Sequence, residues 1–361
     1  MQTFDALPII LVETITSEGT LIASTGKGRS LEQRLVSAVF EAIERRVMLE
    51  AKPDIVSPLH VLNQLAVAPE RSEYPLDCGH VFASLSDPLE WSWGMPASGG
   101  DARLVHRPTW RGVGLYSAST NGAAAGLTSY QARSSALLEL AERDAVLLHW
   151  HARAPAPRLP SVPAVCMPLL DWLGEHGFSV TLYVCTVGVP IPIVFAAAQA
   201  QRAHAGFAFG GMVAGSAAAA TYEAASLAAV LEIVQAIEAA LFTMIRDGSL
   251  ARFEPTIARY LCDDSRSAFA FLDGHVETQV HPELFEGRSL ASNLAAAFMI
   301  EGLRPLVIDR CTATTQVQVS EATATGVQRM TLSCAAPRSR RLLDLAQRTG
   351  RGINADPHPI A

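Results

Sequence analysis

Charge is what this sequence has least of. Asp, Glu, Lys and Arg make up 17% of the chain, against about a quarter in an ordinary globular protein. Basic residues are the scarcer sign, 28 against 35 acidic, for a formal net charge of -7. No basic excess is available to hold a phosphate backbone, which excludes sequence-independent binding of DNA or RNA. Low charge beside 49% apolar residues is the reverse of a disordered composition, so the chain buries a large core. The sequence also lacks any C-x-x-C pair. Its six cysteines (Cys78, Cys166, Cys185, Cys262, Cys311 and Cys334) are spread too widely for a zinc knuckle. They read as reduced, mostly buried thiols of a cytoplasmic protein. No positive segment opens the chain, the run from Leu7 to Val12 is too short for a signal or a span, and no other stretch is uninterrupted over lipid-crossing length. The apolar excess is therefore expected in a core or a protein interface.

What is present is a chain of interleaved helical and extended patterns, a mixed α/β class. At 361 residues the soft prior is two or three domains. Residues 7 to 15 read as a strand. Gly26-Lys27-Gly28 leads through Ser30, an N-cap with Gln33 three residues on, into a helix from Leu31 to Glu50. Residues 52 to 110 read as irregular, with Trp91, Trp93 and Trp110. A Gly-rich loop, Asn121 to Gly126, precedes a second long helix from Ser129 to His151, and four prolines from Pro155 to Pro163 suggest a linker. Leu169 to Glu175 reads as a helix, and Val180 to Cys185 as a strand. Pro190 to Phe195 suggests a strand near a sheet edge. A third Gly/Ala loop, Gly210 to Ala220, opens a third helix from Tyr222 to Ile245.

The three long helices share an acidic pattern. Ser37-x-x-x-Glu41-x-x-Glu44-Arg45 and Ser135-x-x-x-Glu139-x-x-Glu142-Arg143 agree at every polar position, and Glu232-x-x-Gln235 is a looser third copy. Spacing by three puts both polar groups on one helical face. One reading is a surface pair at i,i+4, Glu41 to Arg45 and Glu139 to Arg143. The apolar residues nearly all round the first two helices favour burial instead. Several buried carboxylates stay ionised only beside a compensating cation, and hard oxygen ligands from several helices suit Mg2+ with a nucleotide triphosphate. The glycine loops at the helix N-termini fit phosphate approach, though none is a Walker A motif. Lys27 is either a phosphate contact or a solvated turn lysine. His149 and His151, two apart, fall on different helix faces and are poor metal ligands.

These residues resemble the YcaO family: Gly26-Lys27-Gly28 before Ser37-x-x-x-Glu41-x-x-Glu44-Arg45, then Asn121-Gly122-x-Ala124-x-Gly126 before Glu139-x-x-Glu142-Arg143, then Glu232-x-x-Gln235. The resemblance runs from about residue 20 to 240, and the order and spacing are the family's. It implies one ATP-binding domain over 1–350 with an internal repeat, and a tail over 351–361. Glu41, Glu44, Glu139, Glu142 and Glu232 would be Mg2+ ligands or their close supporters. Lys27, Ser37, Asn121, Arg143 and Gln235 would contact ATP, with Arg143 matching phosphate oxygens through its fork. The chain departs from the family at Leu127, where many members carry Asn, and at Gln131, where some carry Glu.

Azoline-forming YcaO members end in a Pro-x-Pro-x-Pro tail that reaches the active site. The residues Pro357-His358-Pro359-Ile360-Ala361 match two of the three prolines. The carboxylate of Ala361 would then serve as a general base, with His358 a second candidate. The implied activity is ATP-dependent cyclodehydration of a ribosomal precursor peptide. A Cys, Ser or Thr side chain attacks the preceding carbonyl, the oxygen is phosphorylated, and phosphate leaves to give a thiazoline or oxazoline. Arg143 and Mg2+ would stabilise the developing charge. The implied partners are the precursor peptide, an E1-like (ThiF-like) peptide-binding protein, an FMN-dependent dehydrogenase and a second copy of the chain. Peptide thioamide formation, and a non-enzymatic ATP-binding accessory role, are the alternative readings.

Overall fold

The computed structural model describes residues 10–64, 86–106, 120–201, 210–250, 255–262, 265–274, 281, 290–310, 316–328 and 339–359. Trp110, Cys78, Cys311, Cys334 and Ala361 lie outside them. In chain order the elements are β1 (Leu11–Ile15), β2 (Leu21–Thr25), α1 (Leu31–Glu50), β3 (Ile55–Ser57), α2 (Leu59–Gln64), β4 (Leu89–Pro96), β5 (Arg103–His106) and β6 (Ala123–Gly126). There follow α3 (Ser129–His151), α4 (Met167–Glu175), β7 (Phe178–Val184), β8 (Ile193–Ala200), β9 (Met212–Ala218), α5 (Tyr222–Asp247), α6 (Pro255–Cys262), α7 (Arg266–Phe269), α8 (Leu290–Ile300), β10 (Leu306–Arg310), β11 (Gln318–Thr323) and α9 (Arg340–Thr349).

The strands form three antiparallel sheets, ordered β1-β2, β3-β4-β10-β11-β6 with β5 on β4, and β7-β8-β9. Each sheet thus ends in a strand whose next element is a long helix: β2 before α1, β6 before α3, β9 before α5. α3 is the central helix, with fifteen of its 23 residues buried. Leu137, Leu140, Ala141, Ala145 and Val146 of α3 share one core with Ala124, Ile193, Phe195 and Ala322. α5 buries one stripe, including Ala225, Ala229, Ile233 and Ile237, on β7, β8 and β9.

Several sequence expectations change here. Asn121 to Gly126 is not a loop, because Ala123–Gly126 pairs with β11. Gly210 to Ala220 contains β9, paired over seven residues with β8. β6 is all alanine and glycine and β9 is mostly small residues, because a helix lies close against each, so the usual β-branched signal is weak. Pro190 and Pro192 precede β8, which is the central strand of its sheet and not an edge. The proline-rich segment is packed: Ala154 and Ala156 are buried, and Ala156 N–H donates to Leu272 O. Residues 52–106 hold β3, α2, β4 and β5. α1 is one-sided, since it exposes Leu31, Leu35 and Val36. α5 alone among the described helices is long and apolar enough to cross a membrane. Glu232, Gln235 and Glu238 interrupt it, and its buried stripe belongs to the core. Cys166 and Cys185 are buried free thiols, as expected.

Candidate active site: an acidic ring between three helices

Ser30 Oγ accepts from Gln33 N–H (3.2 Å), Thr128 Oγ1 from Gln131 N–H (3.1 Å) and Thr221 Oγ1 from Ala224 N–H (3.2 Å). These N-caps set a common register. Glu41, Glu139 and Glu232 each lie eleven residues past their cap, and Glu44, Glu142 and Gln235 each fourteen. Eleven helical residues span about 16 Å, so the carboxylates lie three turns in from the N-termini. Each cap takes one leading N–H of its helix, and Gln131 Oε1 accepts from Leu127 N–H, just before the cap, at 3.1 Å. The glycines before these helices allow close packing. A Cβ on Gly26 would lie 1.7 Å from Arg34 O, and one on Gly126 would lie 2.6 Å from Ala132 N.

Edge strands leave alternate backbone groups unpaired, and here the helices use them. Glu142 Oε2 accepts from Ala218 N–H on β9 (3.2 Å), and its Oε1 from Ser216 Oγ (2.6 Å). Glu232 Oε2 accepts from Ser216 N–H (3.0 Å), and its Oε1 pairs with Lys27 Nζ (2.6 Å). Glu44 accepts from Ala125 N–H on β6. Gln235 Nε2 donates to Thr25 O (2.7 Å) and Thr25 Oγ1 (2.8 Å) at the end of β2. The wiring is cyclic: α1 bonds to β6, α3 to β9 and α5 to β2. It also explains the one amide among the carboxylates. Facing Gln235, the strand offers a carbonyl and a hydroxyl, so a donor is required there.

Five carboxylates face three cations, Lys27, Arg45 and Arg143, which leaves two negative charges uncompensated when all are ionised. Burial, then the charges of Glu139 and Glu41, pushes the Glu44 carboxyl well up. Burial pushes Glu139 up to about 8, although Arg143 opposes the shift. Glu41 and Glu142 are raised, also first by burial. For Glu232 burial acts upward, but Lys27 and Arg143 outweigh it and hold the carboxyl below its usual range. Arg143 Nε stands 3.8 Å from both Glu139 and Glu142, beyond hydrogen-bond reach. Its Nε and Nη1 are buried without a hydrogen-bond partner. Buried donors of this kind are rare unless something else satisfies them. The side chains of Glu41, Glu139 and Glu232 remain 30%, 25% and 23% exposed, so they line an opening.

A divalent cation would relieve the carboxylate excess, and an anion would satisfy Arg143, so this donor set fits Mg2+ with a phosphate chain. Among the described residues no three His, Cys, Asp or Glu side chains already converge on a metal position. That is the expected state for Mg2+, which takes one or two carboxylates plus phosphate oxygens and water.

The structure brings together most of the residues singled out from sequence. Lys27, Glu41, Glu44, Glu139, Glu142, Arg143 and Glu232 form one electrostatic cluster. Ser37 Oγ accepts from Lys27 N–H (3.3 Å), which shapes the lysine loop. Asn121 begins the turn before β6, and a Cβ on its neighbour Gly122 would lie 3.6 Å from Leu140 Cβ, level with Glu139 to Arg143. Gln235 holds β2. His149 is neutral, since burial pulls it down to about 4, and its Nε2 accepts from Thr186 N–H (3.0 Å). Ala361 lies outside the described residues. The preceding tail is packed: Trp150 Nε1 donates to Asp356 O (3.0 Å), Tyr260 OH to Pro357 O (2.5 Å), and His358 is buried rather than solvated. Sequence reading missed Ser216, Ala218 and Thr25. They act through strand edges, which no helical spacing reveals.

The family model of YcaO cyclodehydratases, described as ATP- and Mg2+-binding, matches residues 25–327. Among solved structures, a heterocyclase in complex with substrate and cofactor is 17% identical with a TM-score of 0.73, over 91% of this chain and 47% of that one. The chain thus spans about half the length of that heterocyclase. YcaO from Methanopyrus kandleri, bound with AMPPCP and Mg2+, is 22% identical with a TM-score of 0.66, over 91% and 84%. A chain of the E. coli microcin synthetase McbBCD complex with pro-MccB17 bound is 12% identical with a TM-score of 0.71, over 100% and 99%. These likenesses speak to the fold. No protein of curated function matches the chain. With the family model covering most of its length and the acidic ring in place, the chain belongs to the YcaO family of ATP- and Mg2+-binding cyclodehydratases.

Proposed function

We propose that this chain is the ATP-dependent cyclodehydratase of a peptide-modifying complex, converting Cys, Ser or Thr of a ribosomal precursor peptide into thiazoline or oxazoline. The carrying observation is the ring itself: five crowded carboxylates, two charges in excess, beside an arginine with unpartnered buried N–H groups. Glu41, Glu44, Glu139, Glu142 and Glu232 would hold Mg2+ or support its ligands. Arg143 and Lys27 would take phosphate oxygens, and Asn121, in the turn before β6, would join them. Ser37 and Gln235 act one step back, by fixing the Lys27 loop and β2. ATP supplies the phosphoryl group that makes an amide oxygen a leaving group. The chain's own residues hold its charge, and Arg143 is placed to stabilise charge that develops on transfer.

Domain-wise, the described elements up to α9 form the nucleotide-binding part. The packing of Asn354 to Pro359 against α3 and α6 supports a tail that belongs to the working enzyme. The E. coli neighbour is a synthetase complex with a precursor bound, which supports a peptide substrate and partner proteins here. An E1-like peptide-binding protein, an FMN-dependent dehydrogenase and a second copy of the chain are the partners we assign. The test is peptide-dependent release of phosphate by the reconstituted complex, with the mass of one water lost per modified residue. ATP turnover with no mass change in the co-encoded peptide would refute the assignment.

A further inference from the structure

We infer that Ser216 is a positioning residue for Mg2+ binding, the brace that fixes two carboxylates of the ring from different helices. This rests on the nucleotide-site reading above. Ser216 lies on β9 and is wholly buried. Its hydroxyl donates to Glu142 Oε1 of α3 at 2.6 Å, and its backbone N–H donates to Glu232 Oε2 of α5 at 3.0 Å. A single residue therefore addresses both helices. Its neighbour Gly215 makes this possible: a Cβ there would lie 2.4 Å from Ala229 O and 3.0 Å from Glu232 Cβ, so only glycine lets α5 come so near.

The consequence is a division within the ring. Both oxygens of Glu142 are engaged by β9, and both oxygens of Glu232 are engaged by Ser216 and Lys27. A carboxylate oxygen has lone pairs beyond one hydrogen bond, so these groups still reach a cation, but in fixed orientation. Among the described residues Glu139 pairs with Arg143 alone, at 3.8 Å, and is left to adjust. Without the Ser216 hydroxyl, the nearest cation to Glu142 Oε1 is Arg143 Nε, also at 3.8 Å. The carboxylate would then keep the Ala218 N–H on Oε2 but lose the second contact that fixes its orientation. Groups that orient a metal's ligands cost about 10- to 100-fold in metal affinity when removed.

The experiment titrates Mg2+ into the full chain with AMPPCP, following binding by calorimetry, for wild type, Ser216→Ala and Ser216→Thr. Ser216→Ala is expected to raise the Mg2+ needed for half-maximal binding about 10- to 100-fold while keeping the nucleotide-free unfolding midpoint of wild type. Threonine keeps the hydroxyl and suits a strand, so Ser216→Thr should return most of that loss. An alanine variant that binds at the wild-type Mg2+ concentration overturns the inference. So does one that fails to fold, since the serine would then belong to the fold. If wild type itself shows no Mg2+-dependent binding, the proposed function fails instead, which separates the two outcomes.

Discussion

Glu139 carries the plainest electrostatic signature of the ring. Its carboxyl titrates near 8 in the folded chain, raised by burial from an ordinary 4.5. Below about 4.5 it is protonated whether the chain is folded or not. Between 4.5 and 8 the unfolded chain releases the proton and the folded chain keeps it, so stability falls as pH rises across that window. A bound divalent cation favours the ionised form and opposes the loss. Thermal unfolding followed from pH 5 to pH 8 should therefore show a midpoint that declines without Mg2+ and nucleotide, and declines less with both present. An identical slope under the two conditions would count against a cation at Glu139. The burial-raised Glu44, Glu41 and Glu142 act in the same direction.

At the scale of elements, the strand-to-helix unit is the repeated device. Each copy lays a capped helix back along its own edge strand, and glycine sets the distance. Gly26→Ala tests this directly. The new Cβ would lie 1.7 Å from Arg34 O and 2.9 Å from Ala38 N, both backbone atoms that a side-chain rotation cannot relieve. A loss of about 1–3 kcal/mol or more in urea unfolding is expected for overpacking of this kind, and unchanged stability would contradict the packing role. The helices were legible from sequence because apolar periodicity marks them, with Ser30 capping the first. α1 and α3 run from Leu31 to Glu50 and from Ser129 to His151, as read. β6 and β9 were not legible. Ala123-Ala124-Ala125-Gly126 carries no strand signature, since its composition answers to the helix packed on it. The glutamates were legible as residues, whereas the partners that order them, Ser216, Ala218 and Thr25, belong to strands far away in sequence.

For the whole molecule, the low charge content now has a distribution. Much of the apolar half fills the core around α3 and under α5. The few buried charges are paired across elements. Arg34 of α1 meets Glu238 of α5 at 2.6 and 3.2 Å and also donates to Gly28 O (3.1 Å). Asp144 of α3 accepts from Arg341 of α9 (2.7 Å) and from Gln328 N–H (2.7 Å). These pairs tie α1 to α5 and α3 to the C-terminal helix beside the ring. The ring is where charge is left over, and the account stands on that surplus being the seat of Mg2+ and ATP. The most direct measurement is calorimetric binding of AMPPCP with Mg2+ and with EDTA, for wild type and for Glu142→Gln. The account predicts binding by wild type that requires Mg2+, and its loss in a Glu142→Gln chain that remains folded. Equal binding in EDTA, or an unchanged affinity in the variant, would contradict it.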